Sequence, residues 1–202
     1  MIMRVIGITG GSGSGKSRFA AFFAEKGIPT QDADVVYHEI VARRGDCLRE
    51  LVAEYGSDIL ADDGSLSRKA LAAIVFAPGD MRDFRVRRLS EITHKYVISE
   101  IDAFIRREAE KGTAIVLLDV PLLFQSGLSL RCDLTVAVLA DRETRIRRII
   151  ARDGIDREAA KRRIDAQPSD DYYRLRADRI VYNDGDTATL SREADDILLL
   201  FH

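Results

Sequence analysis

The chain has 202 residues, of which 46% are hydrophobic and 32% charged, and its 31 basic and 33 acidic side chains leave a formal net charge of −2. That composition fits one sizeable soluble core and offers no global attraction for nucleic acid or an acidic membrane surface. No apolar run approaches the roughly 18 residues of a membrane span, no charged leader precedes the first strand, and Cys47 and Cys132 lack metal-ligand spacing, so a cytoplasmic chain without disulfides or zinc is expected.

Residues 4–9 read as a short buried strand, and the helix that includes Phe19, Phe22 and Phe23 follows a glycine-rich stretch. A second strand is predicted over residues 28–31. From Val35 to Gly112 the pattern holds no strand; helical periodicity covers residues 35–43, 48–55, 66–76 and 82–110, with a turn at Ala61-Asp62-Asp63-Gly64. Residues 114–118, Ala-Ile-Val-Leu-Leu, are continuously apolar, as a central strand covered on both faces requires. Strands are predicted again over 134–139 and 179–182, and an amphipathic helix over 187–200 follows the turn Asn183-Asp184-Gly185. Strands alternating with helices predict an α/β chain with a parallel sheet, interrupted by a helical insertion.

The stretch Gly10-Gly11-Ser12-Gly13-Ser14-Gly15-Lys16-Ser17 fits G-x-x-x-x-G-K-[ST] and lies between a strand and a helix, the setting of a phosphate-binding loop. Glycines let the backbone curl and aim N–H groups at phosphate oxygens, while the helix N-terminus adds its positive end. In this reading Gly11, Ser12, Gly13, Ser14 and Gly15 cradle the phosphates of a nucleoside triphosphate. Lys16 bridges the β- and γ-phosphates, and the Ser17 hydroxyl ligates Mg²⁺. A plain glycine connector would not require lysine and serine at those two places.

The loop by itself implies a nucleoside triphosphate and magnesium, not a reaction. No lysine of the chain follows Asn or Thr, so the [NT]-K-x-D segment of guanine-specific switches is missing, as is the LSGGQ of transport ATPases. A small-molecule kinase is the leading expectation; a nucleotide-dependent binding or switch protein is the alternative from outside the enzymes.

Three further features carry chemistry. Asp32-Ala33-Asp34 follows the second strand at the sheet edge where ligands collect, and a carboxylate there could accept the proton of an alcohol acceptor. Asp119, ending the apolar strand, has the position of a magnesium-holding acid. Residues 141–163 hold nine Arg or Lys against five Asp or Glu, and Arg145, Arg148 and Arg152 share one helix stripe, with Ile146, Ile149 and Ile150 on the neighbouring side. Guanidinium groups pair with phosphate oxygens bidentately, so that helix reads as a lid over a triphosphate.

In order and spacing, "ITGGSGSGKS", "IPTQDADVVYHEIV", "DGSLSRKALAAIVF", "ITHKYV", "VLLDVPLLFQSGL", "IRRIIARDGI", "RIDAQ" and "ADRIVYNDG" resemble the dephospho-coenzyme A kinase family nearly end to end. The resemblance implies a P-loop three-layer fold with a parallel sheet, a helical substrate-binding insertion and a helical lid. The core would hold residues 1–34, 112–142 and 178–202, the coenzyme A-binding insertion 35–111, and the lid 143–177. It implies transfer of the γ-phosphoryl group of ATP to the ribose 3′-hydroxyl of dephospho-CoA, with Mg²⁺; a monomer or small homo-oligomer without nucleic-acid or membrane partners is expected.

Carried over by position, Asp34 would be the base and Asp32 a less favoured base or an indirect magnesium ligand. Thr9 would lie near the transferring group, Arg148 on ATP phosphates, His38 and Arg68 beside the acceptor, and Asn183 near adenine. The chain departs from the family pattern at Lys95, which follows His94 where proline is usual, at Gln125 in place of an acid, at Tyr173 where a base is common, and at Arg18 where threonine is. A related kinase acting on a nucleoside or nucleotide is the second enzymatic reading.

Overall fold

The computed structural model describes residues 2–201. Its elements are β1 (Arg4–Thr9), α1 (Lys16–Glu25), β2 (Thr30–Asp32), α2 (Ala33–Ala42), α3 (Asp46–Tyr55), α4 (Arg68–Val75), α5 (Arg82–Glu110), β3 (Ile115–Asp119), β4 (Leu134–Leu139), α6 (Arg142–Asp153), α7 (Arg157–Asp165), α8 (Asp170–Arg174), β5 (Arg179–Tyr182) and α9 (Thr187–Leu199). The chain divides into two compact units: residues 33–104 form one, and the residues before 33 and after 104 form the other.

In the larger unit, five strands form one parallel sheet in the order β2-β3-β1-β4-β5. Every residue of β3 is buried, as its unbroken apolar sequence predicts for a strand covered on both faces. Side chains alternate across the sheet. Ile6, Ile8, Val136 and Val138 pack with Phe19 and Phe23 of α1 and with Leu190, Ala194 and Ile197 of α9. The intervening Ala137 and Leu139 pack with buried Tyr173 of α8 on the other side, joined by Phe124 and Tyr172. Helices therefore cover both faces, which is the three-layer α/β architecture that the alternating pattern predicts.

Two strands are shifted from the sequence reading, β2 by two residues at its start and one at its end, and β3 by one residue at each end. β2 begins at Thr30, not residue 28, because the Ile28 N–H donates to the Phe23 carbonyl at 3.0 Å and closes the end of α1. Pairing starts one step later, where Leu117 N donates to the Pro29 carbonyl at 2.9 Å. β3 runs to Asp119, one residue beyond prediction, in register with both Ile8 and Asp32.

In the smaller unit α2, α3, α4 and most of α5 bury Leu48, Leu51, Leu71, Val75, Ile92, Val97 and Ile101. Helix α4 starts two residues later than predicted because Ser67 caps it, its hydroxyl accepting from Ala70 N. The turn at Ala61-Asp62-Asp63-Gly64 is present: Asp63 Oδ1 accepts from Ser65 N at 2.9 Å and Ser65 Oγ at 2.6 Å, and Leu60 bridges Leu66. Tyr55 Oη donates to the Arg85 carbonyl at 2.7 Å and ties α3 to α5. No described helix is long and apolar enough to cross a membrane. Cys47, in this unit, and Cys132, in the larger one, are free thiols; burial pushes them up to about 11 and about 12 respectively.

Candidate active site

The glycine-rich loop joins β1 to α1 with β3 and β4 on either side of β1, so it occupies the middle of the carboxyl edge of the sheet. In an open parallel sheet this edge, where connections diverge in opposite directions, is where ligands bind. Gly15 has φ 92°, a left-handed conformation, and a Cβ there would fall on the Asn183 amide nitrogen. Only glycine satisfies both conditions. The first backbone N–H groups of α1 have no acceptor within the helix and sit at the end of its dipole that attracts anions.

Two charged side chains meet at this edge. Lys16, the first residue of α1, forms an ion pair with Asp119, the last residue of β3, and their side chains are only 12% and 4% exposed. Asp32 ends β2 in register with Asp119, so the end of the predicted second strand and the end of the apolar strand lie side by side. Ser17 is exposed at the second position of α1. Thr9 is fully buried, and its hydroxyl donates to the Pro121 carbonyl at 2.9 Å, fastening the start of the loop to the turn that follows Asp119.

Arg145 and Arg148 of the α6 stripe face the loop, while Arg152 at its end is exposed. Arg145 is buried and Nε donates to the Ser12 carbonyl at 2.9 Å. Arg148 Nη1 reaches the Gly13 and Ser14 carbonyls at 3.2 and 3.3 Å, and Nη2 donates to the Asn183 carbonyl at 3.0 Å. Arg152 pairs with Asp153 and approaches Ser12 Oγ at 3.5 Å. Burial holds Arg145 below its ordinary range, against the attraction of Asp170. On the neighbouring side of α6, Ile146 and Ile149 pack with Ala160 and Ile164 of α7, as the spacing predicts.

Asn183, which follows β5, is buried and its amide donates to the Ser14 carbonyl at 2.7 Å. The Ser14 N–H donates to the Gly11 carbonyl at 3.1 Å, and the Ser12 N–H to Gln167 Oε1 at 2.9 Å. Gln167 is a loop partner that the sequence reading did not single out. The bond spans 155 positions of the chain, and no local spacing marks it.

The remaining predicted residues belong to the smaller unit. Asp34 lies in the first turn of α2, and the His38 ring stands 5.5 Å from that of Tyr37. Arg68 is the first residue of α4. Burial raises the Tyr37 hydroxyl above its ordinary value, Cys47 adds to this, and the positive field of Arg68 opposes it. His38, Tyr37 and Arg68 thus share a neighbourhood.

Residues 4–189 match the model of the dephospho-CoA kinase family. The chain belongs to that family. The dephospho-CoA kinase of Symbiobacterium thermophilum is 41% identical over 91% of this chain and 75% of its own length. That of Anaeromyxobacter dehalogenans is 39% identical over 97% and 91%. A solved structure from Thermus thermophilus, 31% identical, superposes over the full length of both chains with a TM-score of 0.81.

Three of the departures from the family pattern have local partners. Lys95 and Tyr96 of α5 both bond Glu50 of α3, the tyrosine hydroxyl at 2.6 Å. Tyr173 is buried against β4, a place for an aromatic ring and not for a base. Arg18 lies over the Phe22 ring at 4.6 Å, and Gln125 is exposed.

Proposed function

We propose that the chain is a dephospho-CoA kinase that transfers the γ-phosphoryl group of ATP to the ribose 3′-hydroxyl of dephospho-CoA, giving CoA and ADP, the last step of coenzyme A synthesis. The observation that carries this reading is the convergence at one sheet edge of the phosphate loop after β1, Asp119 ending β3 and Asp32 ending β2. The family match supports the acceptor.

In this reading the first N–H groups of α1 and the Lys16 ammonium hold the β- and γ-phosphates, so charge developing in transfer meets donors already in place. Arg148 has five N–H donors; its contacts to Gly13, Ser14 and Asn183 use three, and Nε–H and the second Nη2–H serve the phosphates. The Asp34 carboxylate takes the 3′-hydroxyl proton as that oxygen bonds to the γ-phosphorus and the bond to the β-bridging oxygen breaks. Asp32 and Thr9 shape the same edge, His38 and Arg68 face the acceptor, and Asn183 holds the loop on the adenine side.

Ser17 and Asp119 offer hard oxygen donors, a hydroxyl and a carboxylate, which suit Mg²⁺ with its remaining positions taken by water and phosphate. Bound there, Mg²⁺ would neutralise phosphate charge. A magnesium nucleotide brings opposite charges to both members of the Lys16–Asp119 pair, phosphate to the ammonium and cation to the carboxylate. The enzyme works in the cytoplasm as a monomer or small homo-oligomer, without nucleic-acid or membrane partners; the near-even charge and free thiols support this.

The test is to mix purified protein with ATP, Mg²⁺ and dephospho-CoA and to detect CoA by mass, with nucleosides and nucleotides as competing acceptors. CoA formed in preference to any phosphorylated nucleoside is expected. ADP release that requires a nucleoside instead would reassign the acceptor, and no acceptor-dependent release at all would favour a binding protein.

A further inference from the structure

Gln167 has no part in the chemistry above, yet it holds the loop. It follows α7, whose end Ala166 closes, and its own N–H donates to the Ile164 carbonyl at 3.0 Å. Its side-chain oxygen accepts two hydrogen bonds, from Ser12 N–H and from Arg145 Nη2, each at 2.9 Å. Arg145 Nε donates in turn to the Ser12 carbonyl at 2.9 Å. Ser12 is therefore gripped at both backbone groups, its N–H by the carboxamide and its C=O by the guanidinium, and the two grips are bonded to each other.

The fit is tight. A Cβ on Gly11 would fall on Arg145 Nη2 and lie 3.1 Å from Gln167 Oε1. Arg145 is 6% exposed, and its Nη1 faces Asp170 at 3.6 Å, so it has little freedom to leave. A glycine-rich segment loses more conformational freedom on ordering than any other, and a phosphate cradle works only when its N–H groups converge. Something must remove that freedom before nucleotide binds.

We propose that Gln167 is a positioning residue for phosphoryl transfer, locking the Ser12 peptide together with Arg145 so that the loop is set in its phosphate-binding curve. This rests on reading the loop as the ATP site. The side-chain oxygen is suited to the task because it accepts both bonds at once.

The experiment compares Gln167→Met, which keeps the side-chain length but removes the acceptor, with Gln167→Glu, which keeps the acceptor and is neutralised by Arg145. Calorimetric affinity for a non-hydrolysable ATP analogue is measured with Mg²⁺, alongside steady-state kinetics and thermal melting. The methionine variant is expected to melt near wild type, to lose about tenfold to a hundredfold in nucleotide affinity and in kcat/KM for ATP, and to keep its KM for dephospho-CoA. The glutamate variant is expected to recover to within about threefold of wild type. Nucleotide affinity of the methionine variant within about twofold of wild type overturns the proposal, as does equal loss in both variants. Wild-type protein that binds the analogue but never phosphorylates dephospho-CoA would sink the proposed function alone, since the affinity comparison needs no acceptor.

Discussion

Lys16 at the start of α1 and Asp119 at the end of β3 pair with both side chains largely shielded from water. A shielded pair is costly to break from one side, because the charge left behind has lost its solvent and its partner. Asp119→Ala is therefore expected to destabilise the fold by about 3 kcal/mol. The double variant Lys16→Met/Asp119→Ala should recover much of that loss. Urea denaturation of the four proteins of the cycle measures it, and a double variant no more stable than Asp119→Ala would show that the pair does not carry the effect. Neither variant should retain turnover.

Arg148 donates to three carbonyls that belong to two separate segments, the phosphate loop and the end of β5. Lysine has one nitrogen and cannot span them. Arg148→Lys is expected to weaken ATP binding and to lower kcat, and Arg148→Ala to lower kcat further, up to about a thousandfold. Steady-state kinetics with ATP varied at saturating dephospho-CoA separates the two effects. An unchanged KM for ATP in Arg148→Lys would mean that the carbonyl contacts do not shape the loop.

What the sequence made readable was whatever depends on near neighbours. The phosphate loop, the buried run of β3 and the apolar side of α6 follow from motif and period. The start of β2 was missed by two residues because Ile28 spends its N–H on the end of α1, a capping choice that leaves no mark in hydropathy. The spacing of Arg145, Arg148 and Arg152 places them on one stripe but does not say that loop carbonyls lie opposite. Gln167 and Asn183 act on the loop across more than 150 positions, so only the folded chain exposes their role. Tyr173 stood out as a departure from a pattern; its burial against Leu139 supplies the reason.

Asp34 lies in the first turn of α2, two residues after the strand end at Asp32, and the proposed mechanism gives it the acceptor proton. Asp34→Asn keeps the shape and removes the basicity. Turnover should fall by about a hundredfold to ten-thousandfold, with affinity for the ATP analogue nearly unchanged. Asp32→Asn is the internal comparison: a larger loss of turnover there than in Asp34→Asn would transfer the base to Asp32.

Gly15 and Asn183 constrain each other: the amide that bonds the Ser14 carbonyl occupies the space where a Gly15 side chain would project. Gly15→Ala meets two obstacles, the amide and a φ of 92° that a side chain disfavours. Asn183→Ala removes only one of them, and leaves the buried Ser14 carbonyl without that donor, a loss of about 1–2 kcal/mol. Gly15→Ala should therefore abolish nucleotide binding, Asn183→Ala should weaken it, and the double variant should remain as impaired as Gly15→Ala because the backbone strain persists. Calorimetry on the three variants tests this order. Recovery of binding in the double variant would mean that collision with the amide, and not the left-handed backbone, is what reserves this position for glycine.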